Sequence, residues 1–152
     1  MRKVIFILLL LITGFCFSQS INADKTVLTN IVKRMYSSKP FEGVKVIDDY
    51  DHQYFVLVLS LEKSKYPSEA ILFRVAQVKG QSQASTFFNG STISSDLVVK
   101  TTEKENTTTT ETIETIKENA IGFVKSMELL TNFDNADGKR MVFIFYKEKS
   151  KQ

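Results

Sequence analysis

Apolar residues recur along this chain at two spacings, which predict helices in some segments and strands in others. Between residues 22 and 37 they recur at steps of three and four, with polar residues between them, as in an amphipathic helix. Asn22 or Asp24 is a suitable cap for its start, and the residue before Pro40 is disfavoured in a helix. The pattern predicts a first helix over residues 22–37.

A strand hairpin is predicted next. Residues 41–47 alternate between apolar and polar side chains, and residues 54–61 form a dense run of β-branched and aromatic residues. The polar residues Asp48 to His52 lie between them and have the length of a hairpin connection. A run without alternation is typical of a strand that is buried on both faces, so we expect this of the second strand.

The segment 66–89 permits two interpretations. Residues 70–78 have the composition of a strand, but apolar and small residues also fall on one helical face. These are Phe73, Ala76, Gly80, Ala84 and Phe87. The middle of that face is small, as expected where a helix backbone lies close to a sheet. Pro67 suits a first turn and Asn89–Gly90 suits a helix end, so a helix over 67–89 is favoured.

The remainder predicts further strands around a threonine-rich segment. Residues 92–102 return to strand character, whereas residues 101–112 contain no apolar side chain and form either a mobile loop or an exposed strand extension. Residues 113–120 keep helical spacing, so the stretch 101–120 stays open between loop, strand and helix.

A second hairpin is predicted in the last third of the chain. Strands over residues 121–133 and 141–146 flank a turn that contains the Asp-Gly pair at 137–138. Gly122 inside the first strand indicates a bulge, and residues 147–152 are expected to be a solvated tail.

Together these elements predict an α+β fold. We expect an antiparallel sheet of four to six strands, with the helices at 22–37 and 67–89 packed on one face, because their apolar stripes then share one surface. The other face of the sheet is expected to be partly solvated or covered by a partner.

The N-terminus has the layout of a cleaved signal peptide. Arg2 and Lys3 precede an apolar run over residues 4–12, and the small residues Cys16 and Ser18 lie just before Gln19. The run is too short to cross a bilayer, which takes about 20 residues. Residues 1–18 are therefore predicted to be a signal peptide and residues 19–152 a single periplasmic or secreted domain without a membrane span. Lipid attachment at Cys16 is the alternative, although Phe15 before it is large for that processing.

Composition and charge exclude some classes of partner. Loss of Arg2 and Lys3 lowers the formal charge from +3 to +1, which gives no case for nucleic acid or for an anionic membrane. Cys16 is the only cysteine, so the processed chain has no thiol or disulfide. Twelve Phe residues predict a sizeable core instead.

Motifs for catalysis are missing from the sequence. His52 is the only histidine, and no nucleophile elbow, phosphate-binding loop or zinc-protease helix occurs. We therefore predict a protein without enzyme activity or cofactor. A hydrolase with two carboxylates remains the less favoured alternative, because its acids can lie far apart in sequence.

Two acidic turns contain side chains that could bind a metal ion. The first contains Asp48, Asp49, Asp51 and His52, and the second lies at residues 134–138. Neighbouring aspartates in a strand point in different directions, and Ala136 occupies a position that calcium loops use for a ligand. Solvated turns are the favoured interpretation of both, and no metal is predicted.

Parts of the chain resemble a known family of envelope proteins. The relevant segments are residues 66–70, 76–88, 89–95, 97–99 and 120–124. Together they resemble the N-terminal domains of bacterial flagellar-ring assembly proteins and related small envelope lipoproteins, in which a glycine interrupts a strand before the sheet closes. The resemblance implies an α+β envelope domain with no chemistry of its own.

The sequence thus predicts a non-enzymatic, exported interaction module of the bacterial cell envelope, with an envelope protein as its partner. The predicted contact residues lie in two polar segments: Asn89, Ser91, Thr92, Asp96, Asp49, Asp51 and His52. The alternative function is binding of a small apolar ligand in a Phe-lined cavity between sheet and helices.

Overall fold

The computed structural model describes residues 17–49, 52–90, 98–100 and 120–150. In chain order they form α1 (Phe17–Ser38), β1 (Gly43–Asp48), β2 (His52–Glu62), a 3₁₀ turn (Lys63–Lys65), α2 (Glu69–Gly90), β3 (Val98–Lys100), α3 (Ala120–Lys125), β4 (Glu128–Asp134) and β5 (Arg140–Ser150). The chain divides into two compact units, Met1–Pro40 and Phe41–Gln152.

In the first unit, α1 is longer than the sequence predicts. The predicted helix over 22–37 is confirmed, but α1 begins at Phe17, so Asn22 and Asp24 lie inside it and do not cap its start. No Gly or Pro occurs between Phe17 and Asp24 to end a helix. The helix therefore includes residues on both sides of the predicted cleavage after Ser18.

The second unit contains a five-stranded sheet in the order β3-β1-β2-β5-β4. β1, β2, β5 and β4 pair antiparallel with their neighbours, whereas β3 pairs parallel to β1. The chain passes from β2 through α2 to β3, which runs in the direction opposite to β2 and lies on the other side of β1. The predicted α+β fold with an antiparallel sheet is confirmed, and the short edge strand β3 is its exception.

β2 lies at the centre of the sheet and is buried on both faces, as its sequence predicts. It pairs with β1 on one side and with β5 along its whole length on the other. Val56, Val58 and Ile144, on the face away from α2, are all 0% exposed.

α2 packs on the other face of the sheet, over β1 and β2. Its buried residues recur at every fourth position and so form one side of the helix: Leu72, Ala76, Gly80, Ala84 and Phe88. A Cβ built on Gly80 would lie 3.1 Å from Cε2 of Phe145 and 3.2 Å from Cδ2 of Leu57, so only a glycine permits this approach without adjustment. The helical interpretation of residues 67–89 is confirmed, and so is the close approach expected from its small residues.

Aromatic side chains fill the core between α2, α3 and the sheet. The Phe55 ring centroid lies 5.9 Å from that of Phe88 and 5.1 Å from that of Phe123, while Phe87 contacts Phe88 at 5.1 Å. The first of these pairs is tilted and the other two are edge-on, and such aromatic pairs add to the free energy of burial. The core expected from the high Phe content is therefore present in the second unit.

The predicted strand over residues 121–133 is wrong in its first part. Residues 120–125 form α3, because Ala120 and Val124, four residues apart, bury one helical side against α2. Gly122 is exposed on that helix and makes no bulge. The bulge lies instead between Leu129 and Thr131, where the pairing of β4 with β5 shifts register.

The β4–β5 hairpin itself is confirmed. Gly138 has a positive φ of 68°, which the Asp-Gly pair predicts for this turn. β5 continues to Ser150, so residues 147–150 are part of a strand and the predicted solvated tail is wrong there. They extend the strand because His52 to Phe55 on β2 provide partners for them.

Several predicted features lie outside the described residues. The strand predicted over 92–102 is described only at β3, and the threonine-rich segment 101–112 is not described. Among the helices that the structure describes, none is long and apolar enough to cross a bilayer.

Candidate functional site

Three of the seven predicted contact residues, Asp49, His52 and Asn89, lie in the described part of the chain. The Asp49 N–H donates to the His52 carbonyl at 2.9 Å and closes the β1–β2 turn. Nδ1 of His52 lies 2.7 Å from Oε1 of Glu148, within ion-pair distance but without the angles of a hydrogen bond. The other four, Asp51, Ser91, Thr92 and Asp96, lie outside the described residues.

The described residues of the two predicted contact segments lie towards the same end of the sheet. Asn89 is exposed at the end of α2, where its side-chain amide donates to Oγ of Ser85 at 3.2 Å. The neighbouring Phe88 packs against Phe55, three residues from His52 along β2. Neither Asn89, Asp49 nor His52 lines the two grooves described below.

Two polar side chains in the β4–β5 turn accept hydrogen bonds from the backbone. Oδ1 of Asp137 accepts the Lys139 N–H at 2.8 Å, and Oδ1 of Asn135 accepts the Arg140 N–H at 3.0 Å. These bonds give the residues a structural role in a turn. Within the described ranges, no group of three or more His, Cys, Asp or Glu side chains is placed to hold a metal ion.

A crevice runs between α2 and the strands β4 and β5. The register of β4 with β5 places Leu129, Asn132 and Asp134 opposite Phe145, Phe143 and Met141, on the sheet face that α2 covers. Since α2 lies over β1 and β2, its flank faces β4 across a gap. We call this gap the α2–β4 crevice, and it consists of two grooves.

The first groove lies beside the start of β4 and has a volume of about 490 Å³. Its lining combines aromatic and apolar side chains with a few polar ones: Phe73, Arg74, Gln77, Met127, Glu128, Leu129, Phe143 and Phe145. Phe73 and Phe143 meet edge to face with centroids 5.1 Å apart. Leu129 is 41% exposed, which is high for a leucine beside such a groove. The first groove therefore has an apolar interior and a polar rim.

The second groove lies beside the end of β4 and has a volume of about 310 Å³. It is lined by Lys63, Tyr66, Ser68, Glu69, Leu72, Asp134 and Met141. Nζ of Lys63 hydrogen-bonds Oδ2 of Asp134 at 2.9 Å, which ties the 3₁₀ turn to the end of β4. Leu72 precedes Phe73 on α2, and Met141 and Phe143 lie two residues apart on one face of β5, so the two grooves lie next to each other along β4.

Charges around the crevice are only partly paired. Arg74 makes no hydrogen bond or ion pair with any residue that the structure describes, although it lines the first groove. In the segment before the second groove, the hydrogen bond from Lys65 holds the pKa of the Glu62 carboxyl below its ordinary value, and Ser64 adds to the effect. The guanidinium of Arg74 in the first groove is thus open to a charged group from outside the described residues.

Arg140 anchors the strands behind the second groove. Its Nε donates to Oγ of Ser60 at 2.7 Å, and its Nη2 donates to the Ser60 carbonyl at 2.7 Å and to Glu42 at 3.2 Å. A planar guanidinium can satisfy several acceptors at once, so this contact fixes the start of β5 against β2. The floor of the crevice is therefore held by the sheet and does not depend on a loop.

Sequence reasoning missed the crevice because it depends on register. Leu129 and Leu130 are adjacent apolar residues, and in a regular strand one of them would face away from α2. These two adjacent leucines are the feature of the sequence that indicates a bulge, but they do not determine which of the two faces the helix. Comparison with protein-family models, with curated proteins and with solved structures finds no match for this chain.

Proposed function

We propose that this protein is a non-enzymatic, exported interaction module of the bacterial cell envelope and that it binds a protein partner in the α2–β4 crevice. The observation that carries the proposal is the first groove, in which the exposed Leu129 and the half-buried Phe73 and Met127 adjoin the polar rim. An apolar centre with a polar rim is the usual anatomy of a protein interface. The signal-peptide layout of residues 1–18 supports export.

The shape of the crevice favours a protein partner over a small molecule. Ligand pockets of about 300–1,000 Å³ enclose most of the ligand surface. Here the apolar lining lies in an elongated, open gap beside a strand, and two grooves follow one another along it. A polypeptide can place successive side chains in such grooves, whereas a compact ligand would fill one of them and stay exposed to water.

Photo-crosslinking in the producing cells tests the proposal. A photoreactive phenylalanine analogue replaces Leu129 in one variant and Val78 in another, and adducts are resolved by mass after irradiation. Val78 is a matched control, because it is 62% exposed on α2 and lines neither groove. We expect the Leu129 variant to form a discrete protein adduct and the Val78 variant to form none.

A second substitution, added to the Leu129 variant, shows whether the adduct depends on the first groove. Replacing Phe73 by Ser removes an aromatic wall of the first groove, and we expect it to reduce the Leu129 adduct while circular dichroism of the purified protein stays native. Equal adducts from Leu129 and Val78, or no adduct from Leu129, would show that the crevice is not the partner site.

A second candidate function is binding of a small apolar ligand in the first groove, whose volume of about 490 Å³ falls in the range of ligand pockets. Native mass spectrometry of protein purified from its producing cells would then show an added small mass. That mass would be lost with Phe73→Ser and retained with the Val78 variant.

A further inference from the structure

We propose that the partner binds as an added β-strand on the outer edge of β4, which no described strand covers, as an extended polypeptide segment with alternate apolar residues and an acidic residue near Arg74. This inference rests on the proposed function, because it specifies how the crevice is occupied. Strand addition supplies backbone hydrogen bonds at a sheet edge, and pockets beside the edge select alternate side chains of the added strand.

The backbone of β4 presents hydrogen-bonding groups to its outer edge. The Asn135 N–H donates to the Arg140 carbonyl at 2.9 Å, so these two residues form a hydrogen-bonded pair. Hydrogen-bonded and non-hydrogen-bonded pairs alternate along an antiparallel ladder. Asp134 and Asn132 therefore belong to non-hydrogen-bonded pairs, in which the N–H and C=O groups point away from β5. β4 is the last strand in the order of the described sheet, so no described strand accepts those groups.

The grooves have the spacing that an added strand requires. A residue that pairs with Asn132 has its side chain on the crevice face, as Asn132 does. Residues two positions before and after it face the same way, and the three span about 13 Å. One of them therefore points towards the first groove beside Leu129, and another towards the second groove beside Asp134.

Charge favours a foreign strand over a second copy of this chain. β4 carries Glu128 at one end and Asp134 at the other, with no basic residue between them. Two β4 strands in an antiparallel pair centred on Thr131 would place Glu128 of one copy opposite Asp134 of the other, and like charges directly opposite are destabilising. Arg74 in the first groove instead complements an acidic side chain on a different polypeptide.

A synthetic peptide with the sequence acetyl-Thr-Val-Thr-Val-Thr-Glu-Thr-amide is the probe. Its Val and Glu side chains share one face, and the N–H groups of the same residues share one edge. In one variant peptide the backbone nitrogens of both Val residues are methylated, which blocks pairing through that edge. In the matched control the backbone nitrogens of the two Thr residues on either side of the second Val are methylated, because their N–H groups lie on the opposite edge. Binding to the processed protein is measured by titration of its backbone amide resonances.

We expect the unmodified peptide to bind and to slow hydrogen exchange at the Asn132 and Asp134 amides. Methylation at Val weakens binding about ten-fold, because two backbone hydrogen bonds are lost, and methylation at Thr leaves the affinity within about two-fold. Replacement of the peptide Glu by Lys weakens binding about three-fold, as expected for one exposed ion pair, and Arg74→Glu reverses that preference.

Each other outcome overturns the inference. Equal binding of the two methylated peptides, or binding without protection of the Asn132 amide, excludes strand addition while leaving side-chain docking in the crevice intact. No binding up to about 1 mM, an affinity of only about −4 kcal/mol, also excludes strand addition at this edge. The proposed function is judged separately, because the Leu129 adduct in cells does not depend on backbone pairing.

Discussion

The contact between Gly80 and the sheet gives a sharp test of how α2 is packed. Gly80→Val adds a Cβ that would lie 3.1 Å from Phe145 and 3.2 Å from Leu57, and two methyl groups beyond it. Optimal carbon contacts are about 3.5–4.0 Å, so either the helix or the two side chains must move. Overpacking of this kind costs about 1–3 kcal/mol.

The intrinsic helix propensity works in the opposite direction but is smaller. Glycine is less favourable in a helix than valine by about 0.5 kcal/mol at most. The packing cost therefore dominates, and we expect Gly80→Val to lower the free energy of unfolding by about 2 kcal/mol. With a typical urea dependence of about 2 kcal/mol per molar, the midpoint falls by about 1 M. Circular dichroism is the suitable probe, because the chain contains no Trp.

Gly90→Val is the matched control in the same helix. A Cβ on Gly90 meets no heavy atom within 4 Å, so we expect a change of no more than about 0.5 kcal/mol. A result in which Gly80→Val unfolds at the same urea concentration as Gly90→Val would refute the close approach of α2 to the sheet.

Three further predictions concern the core, the turn and the N-terminus. Phe88→Ala removes a ring that contacts Phe55 and Phe87, and we expect calorimetry to show a loss of about 3–5 kcal/mol, whereas a loss below about 1 kcal/mol would contradict the packing. Gly138→Ala should cost about 1–2 kcal/mol in urea unfolding, because φ at Gly138 is +68°, and Gly138→Asn should cost less, since asparagine tolerates that conformation. Intact-mass analysis of protein from the producing cells should show a chain that begins at Gln19; retention of Met1 or an acyl group on Cys16 would be incompatible with signal-peptide cleavage.

The sequence predicted local features of α2 because they depend on spacing alone. Ala76, Gly80 and Ala84 are four residues apart, so they share a helical side whatever the helix packs against. Their small size then indicated close contact with a sheet, which Gly80 makes with Leu57 and Phe145. The same reasoning predicted the dense central strand, since alternation is absent from residues 54–61.

Features that depend on contacts with a segment far away in the sequence were not predictable in the same way. Lys147, Glu148 and Lys149 are polar and suggest a solvated tail, but they continue β5 because β2 offers hydrogen-bonding partners. Ala120 and Val124 belong to a helix because α2 covers them. Propensity is a weak guide where tertiary contacts decide the local structure.

The candidate site was the least predictable part of the molecule. Of the predicted contact residues, Asp49 follows β1 and Asn89 lies in the last turn of α2, and neither lines the crevice. The α2–β4 crevice instead combines Phe73 from a helix with Leu129 from an edge strand, which are far apart in sequence. Their proximity follows from the strand order and from the bulge after Leu129, neither of which the sequence specifies.

The long ladder between β2 and β5 also sets the order in which this protein can fold. Residues 52–62 pair with residues 140–150, so the central strand acquires its second neighbour only after residues 140–150 have been synthesised. Contacts between distant segments slow folding, because a long loop must close before they form. A nascent chain that stops short of Arg140 leaves one side of its most hydrophobic strand open to chaperones and proteases.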